Sequence, residues 1–134
     1  MSISHIIDQE LIKKNEERPR KILIAEDDAI NVFLLKRILE PLKFDLSIAE
    51  NGQIAVDKFK EETFDAVLMD IYMPIMDGLE ASKRIRLKSD TIPIIAVTAA
   101  DLRANTLKIE FGIDYLVNKP IDVYKLKSLL NDLL

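Results

Sequence analysis

The strongest constraint on this chain is the stretch Phe64-Asp65-Ala66-Val67-Leu68-Met69-Asp70-Ile71-Tyr72-Met73-Pro74-Ile75-Met76-Asp77-Gly78. Its apolar run, Ala66 to Met69, reads as a buried strand that delivers a single carboxylate, Asp70, at its end. Met73-Pro74 then holds an extended turn, because proline pins its own φ and steers the preceding residue away from helix. Asp77-Gly78 restarts the chain as a helix with Asp77 as its cap. A carboxylate at the carboxyl edge of a buried strand, followed by a turn and a helix, sits where open α/β sheets bind ligands.

The totals narrow what such a site can be. With 134 residues the chain makes one domain with a real core and has no room for two ordinary ones. It has no Cys, which removes disulfides, thiolate zinc sites and cysteine nucleophiles. No apolar run approaches the length of a membrane span, and the N-terminus lacks the apolar core of a signal peptide. The net charge is −4, with no basic stripe suited to a phosphate backbone. These features together predict a cytoplasmic single domain.

The N-terminal residues 1–19 differ in texture from the rest of the chain. Ile3, Ile6, Ile7 and Leu11 recur at helical spacing, and a charged connector from Lys13 to Arg20 contains Pro19. This part reads as a partly ordered leader or linker; a sharper alternative is the end of an upstream module or a short helix that docks on a partner. His5, the only histidine, reads as an ordinary exposed residue.

Residues 20–134 form the domain proper. Lys21 to Ala25 is a short apolar strand; Ile30, Phe33, Leu34, Ile38 and Leu42 then repeat at helical spacing. Phe44 to Ala49 alternates like a strand near an edge, and Asn51-Gly52 opens a helix through Ile54, Ala55 and Phe59. The strand ending at Asp70 is followed by a helix from about Gly78 to Lys88, then a strand over Ile92–Thr98 with its proline tolerated at the start. A weaker helix is predicted from about Asp101 to Phe111, closed by Gly112, then a strand over Tyr115–Asn118. Asp122 caps a last helix with Val123, Leu126, Leu129, Leu130 and Leu133 inward. Five apolar strands alternating with five helices predict a doubly wound parallel sheet covered on both faces. Gly52, Gly78 and Gly112 are the only glycines, so no glycine-rich loop cradles a nucleotide.

In such a sheet all strand carboxyl ends share one edge. Strand one brings Glu26, Asp27 and Asp28 there, strand three Asp70, strand four Thr98 and strand five Lys119. Taken singly, an acid run is a solvated turn with a helix cap, and a Lys-Pro or a terminal Thr is structural. Their coincidence at strand ends is what points to a site. Crowded carboxylates repel one another unless a cation sits among them, and oxygen ligands without His or Cys suit Mg²⁺. Lys119 adds a point charge and Thr98 a hydroxyl, which together favour a phosphoryl group. A central carboxylate can also be the nucleophile that accepts it.

From about residue 20 onward the chain resembles the receiver domains of two-component response regulators. The residues that carry the resemblance are the Glu26-Asp27 pair, Asp70 with Met73-Pro74 and Asp77-Gly78 behind it, Thr98-Ala99, and Lys119-Pro120. Asn31, four residues after Asp27, makes it most similar to receivers of hybrid sensor histidine kinases. The resemblance implies a flavodoxin-like strand order of 2-1-3-4-5. It implies Asp70 as phosphoacceptor, with Mg²⁺ held by Asp27 directly, Glu26 through water, Asp70, and the Tyr72 backbone carbonyl. Thr98 and Lys119 would bind the phosphoryl oxygens, and Lys119-Pro120 would be cis. Three departures stand out: Glu as the first acid beside a third, Asp28; Leu116 where the family carries an aromatic; and a short helix after Asp101. Tyr115 is adjacent to Leu116 but alternation points it to the opposite face.

The function expected is a phosphoacceptor receiver. It would take a phosphoryl group from the phosphohistidine of a histidine kinase or histidine phosphotransfer domain, lose it again by its own autodephosphorylation, and change its surface. Tyr72 and Ala100 would flank the attacking water. Asp28 caps the first helix of the domain. With no output domain after Leu134, the chain would be a stand-alone response regulator or a piece of a hybrid kinase, a monomer or weak dimer that binds no nucleic acid directly and touches no membrane through this segment. The alternatives are a pseudo-receiver acting only as a protein-interaction module, which should have lost a site residue, and a haloacid-dehalogenase-type phosphatase. The latter wants a second acid where Tyr72 stands.

Overall fold

Five strands pair in parallel in the order β2-β1-β3-β4-β5, as the resemblance implied. The computed structural model describes residues 2–99 and 101–134. The strands are β1 (Lys21–Ala25), β2 (Asp45–Ala49), β3 (Ala66–Met69), β4 (Ile94–Thr98) and β5 (Tyr115–Asn118). Among the described residues six α-helices accompany them: α1 (Ile3–Glu17), α2 (Ala29–Leu39), α3 (Gly52–Glu61), α4 (Gly78–Lys88), α5 (Ala104–Phe111) and α6 (Val123–Leu133). Strand alternation divides the core in two. Leu23, Val67, Met69, Ile94 and Ala96 face α3, α4 and α5. Ile22, Ile24, Leu68, Ile95 and Val97 face α1, α2 and α6. Burial on both faces is why the strands read as apolar runs rather than alternating ones.

Helix starts follow the predicted caps. The carboxylates of Asp28, Asp77 and Asp122 accept from the backbone N–H of Ile30, Glu80 and Lys125, and the Asn51 side-chain oxygen accepts from Ile54. Gly112, at φ 70°, ends α5 in a left-handed cap, its N–H donating to Lys108 and that of Ile113 to Leu107.

Four features differ from the sequence reading. Residues 3–17 form a full helix, α1, against α6 rather than a loose leader, which makes six helices instead of five. Ile7 and Leu11 are buried there, and the buried Asn15 amide donates to the Leu42 carbonyl at 2.8 Å. On α2 the inward residues are Leu35 and Leu39, while Ile30, Phe33 and Leu34 face solvent. The helix is apolar nearly all round, so two stripes fit the same period and periodicity alone does not choose between them. On α6, Leu126 and Leu130 are buried and Val123, at the helix start, is exposed. Finally, α5 begins at Ala104, three residues later than predicted from Asp101, with Arg103 at the cap position making no side-chain capping bond.

Candidate phosphoryl-transfer site

The acid edge is assembled by the backbone before any side chain is considered. The Glu26 N–H donates to the Ala49 carbonyl of β2, and the Asp70 N–H to the Ala25 carbonyl of β1, both at 2.9 Å. Those bonds extend the ladders one residue past β1 and β3 and hold the two acids side by side. Glu26 and Asp70 are buried, Asp27 is exposed, and one carboxylate oxygen from each lies within 4.8 Å of the others. Asp28 stands outside the group as a helix cap, though its N–H donates to Glu26 Oε2 at 3.2 Å and helps to aim that carboxylate.

Lys119 reaches into the same cluster. Its Nζ lies 2.6 Å from Glu26 Oε1 and 3.2 Å from Asp70 Oδ2. Lys119 follows β5 directly, its N–H donates to the Thr98 carbonyl at 2.9 Å, and its bond to Pro120 is cis. Burial, partly offset by the Lys119 hydrogen bond, pushes the Glu26 carboxyl up to about 7, and the nearby Asp70 charge adds to the rise. Burial works against the Lys119 ammonium, but its bond to Glu26 and the charges of Glu26 and Asp70 outweigh this and raise its pKa.

Thr98 ends β4 fully buried and pairs in register with Asn118 on β5, so it lies at the same sheet edge. Tyr72, two residues past Asp70, has an exposed side chain. Leu116 is partly buried against the α3–α5 side of the core, while Tyr115 is exposed, as alternation requires. Ala100, expected beside Tyr72, lies outside the described residues.

The loop after Asp70 is fixed by contacts that the motif alone does not reveal. The Met76 N–H donates to the Pro74 carbonyl at 2.8 Å across Ile75, whose φ of 71° makes this a γ-turn of the strained, positive-φ kind. The Met76 carbonyl accepts from Gly52 N–H at 2.9 Å, and a Cβ on Gly52 would lie 2.3 Å from that oxygen. Gly78 N–H donates to the Ile71 carbonyl, and a Cβ there would meet the Asp70 carbonyl at 2.0 Å. Gly52 and Gly78 are positioning residues that the sequence reading places only as helix openers; their signal is a glycine just after a cap, where a side chain is ordinarily tolerated.

The donor set fits a hard dication: three carboxylates, two of them buried, with no nitrogen or sulfur ligand among them. A cluster of three acids sharing a single ammonium carries excess negative charge, which a dication would neutralise.

Fold and site together define a doubly wound α/β domain with an acid-and-ammonium cleft at its strand carboxyl ends. The sequence model of the response regulator receiver domain matches residues 22–131, and the chain belongs to that family. It is a receiver domain of the kind found in two-component systems. It is 41% identical over 123 residues to hybrid signal transduction histidine kinase I of Dictyostelium discoideum, covering 84% of this chain and 7% of that protein. The chain spans 5% of a second such kinase, hybrid signal transduction histidine kinase M. Its fold superposes with a TM-score of 0.76, at 32% identity, on response regulator TrrA of Thermotoga maritima in complex with Mg²⁺ and BeF, covering 86% of this chain and 99% of that one. It superposes at 0.78, with 26% identity, on the Ssk1 receiver domain of Saccharomyces cerevisiae crystallised with the histidine phosphotransfer protein Ypd1, covering 86% and 88% of the two chains. Among the described residues, no helix is long and apolar enough to cross a membrane.

Proposed function

We propose that Asp70 accepts a phosphoryl group from the phosphohistidine of a histidine kinase or a histidine phosphotransfer domain in the cytoplasm. The observation that carries this reading is the triad Glu26, Asp27 and Asp70 with Lys119 inserted between two of its members. An Asp70 carboxylate oxygen attacks phosphorus in line; the new O–P bond forms as the P–N bond to histidine breaks, and the imidazole leaves with the electron pair. Glu26, Asp27, Asp70 and the Tyr72 backbone carbonyl would hold Mg²⁺, which supplies positive charge against the phosphoryl oxygens. Lys119, in contact with Glu26 and Asp70, would supply a second positive charge, and the Thr98 hydroxyl would donate to a phosphoryl oxygen. Once Asp70 is converted to the acyl phosphate its charge moves outward, and Lys119 exchanges its Asp70 partner for the phosphoryl group. The two Dictyostelium relatives, of which this chain spans only a small part, are hybrid kinases; this supports the reading that the receiver serves in a hybrid histidine kinase or as a stand-alone regulator.

The test is the intact mass of the protein after exposure to acetyl phosphate, with and without Mg²⁺, beside Asp70→Asn. One added phosphoryl group that needs both the metal and Asp70 is expected. Undiminished labelling of Asp70→Asn overturns the assignment.

A further inference from the structure

The α3–α4 face, away from the acid edge, gathers cations around an apolar floor. The C-terminal halves of the two helices enclose a groove of about 270 Å³ lined by Val56, Lys60, Arg84, Leu87 and Lys88. Three of these five residues are cations and none is an acid, in a chain whose net charge is −4. Leu87 is 87% exposed, the highest value among the large apolar side chains of the described residues. Arg84 has one exposed partner, Glu80, at 3.2 Å, which leaves most of its guanidinium donors available. Lys60 and Lys88 make no ion pair among the described residues.

Helix-end electrostatics account for only part of this arrangement. A cation in a last turn complements the helix dipole. Lys58 and Lys60 lie in the last turn of α3 and Arg86 and Lys88 in that of α4, but Lys58 is committed to the Ile48 carbonyl and Arg86 to the carbonyls of Ser89, Ile92 and Gly112. Lys60 and Lys88 are additional charges, and they flank an apolar surface on which Leu87 stands open to solvent.

We propose that this groove docks an acidic segment of a partner protein, in which one apolar side chain is flanked by carboxylates. The apolar side chain packs on Leu87 and the aliphatic stems around it, over the buried Val56, while the carboxylates pair with Lys60, Arg84 and Lys88. The concave shape favours an inserted side chain over a flat lipid surface, and the apolar floor has no use for a phosphate backbone. Because α3 and α4 both begin at the acid edge, with Gly52 and Gly78, their last turns lie toward the opposite end of the sheet. A segment bound there leaves Asp70 open to its phosphodonor, so the inference stands apart from the phosphoacceptor reading.

The experiment titrates the full chain into a short fluorescent peptide of Asp and Glu with one central Leu, read by anisotropy. A Leu→Ser version of the peptide and vesicles with about one lipid in three phosphatidylserine serve as comparisons. Saturable binding is expected, weakened roughly tenfold by the pair Lys60→Glu and Lys88→Glu, and also by Leu87→Ser or by Ser in the peptide. It should fall as salt rises from about 0.05 to about 0.3 M. Amide shifts on binding should be confined to α3 and α4. All three substitutions are on exposed side chains, and unchanged labelling of the variants by acetyl phosphate shows that they fold. Absence of saturable binding, equal binding by the variants, or shifts centred elsewhere overturns the proposal. Binding to the vesicles alone also overturns it and reassigns the groove to a lipid surface.

Discussion

Ile75 carries a backbone conformation ill suited to a β-branched side chain. Its φ of 71° is normally left to glycine or asparagine, and its side chain is 83% exposed, so burial returns little for the strain. Ile75→Gly should therefore raise stability by about 1 kcal/mol in urea unfolding; an unchanged or lowered midpoint would show that the γ-turn is not strained. Gly78 makes the opposite case. A methyl group there meets the Asp70 carbonyl at 2.0 Å, so Gly78→Ala must displace the backbone of Asp70 itself. It should slow labelling by acetyl phosphate more than Gly112→Ala, whose added carbon meets only the Arg86 side chain. Equal labelling rates would sink that assignment. Glu26 supplies a pH signature in metal-free protein. Its folded-state value of about 7 lies above its ordinary 4.5, so its contribution to stability is complete below 4.5 and is lost as pH rises through about 7. The shift corresponds to a loss of about 3 kcal/mol. It is visible as a melting temperature that falls between about pH 4.5 and 7 with chelator present, and Glu26→Gln should flatten that slope. A parallel slope in the variant would assign the loss to another group.

Among the elements, α1 shows most plainly what tertiary context adds to a pattern. Its four isoleucine and leucine positions are visible as a helical stripe, but what they pack against is not. Leu11 is 1% exposed, Lys14 Nζ donates to the Asn131 carbonyl at 2.7 Å, and Lys127 pairs with Asp8 at 3.0 Å. These partners join α1 to α6 across almost the whole length of the chain, and no local rule couples the two helices. Leu11→Ala should cost about 3 kcal/mol by leaving a cavity between α1 and α6, while acetyl phosphate labelling persists; a cost near zero would mean that α1 is only loosely held. Other elements are legible for identifiable reasons. Strands β1, β3 and β4 are buried on both faces, and the caps Asp28, Asn51, Asp77 and Asp122 each make the bond their type predicts. The acid edge is legible because parallel strands bring their carboxyl ends to one side, which needs only strand order and no side-chain packing. The inward face of α2 is not, because Ile30, Phe33 and Leu34 compete with Leu35 and Leu39 in an almost wholly apolar helix. The roles of Gly52 and Gly78 stay hidden because each depends on a carbonyl from a different element.

For the whole molecule, the question is whether a charge change at one sheet edge is felt by both halves of the core. The two apolar clusters share every central strand: Val67 and Met69 of β3 face one, Ala66 and Leu68 the other. Neither layer can lose its helices without exposing the back of a strand that the opposite layer needs, so both should unfold in one transition. Mg²⁺ held as proposed among Glu26, Asp27 and Asp70 would then stabilise residues far from it by mass action. For a site with Kd of about 1 mM, about 10 mM Mg²⁺ adds about 1.4 kcal/mol, or about 4 °C in melting temperature. The informative probe is the Leu11 amide on α1, at a distance from the acids and outside the residues matched by the family. If the sheet couples its two faces, exchange of that amide slows on adding Mg²⁺ by the same factor as exchange in β3, about tenfold. Slowing confined to β1 and β3 would mean that α1 and α6 open independently, and that the charge at Asp70 is read only on the α3–α5 face.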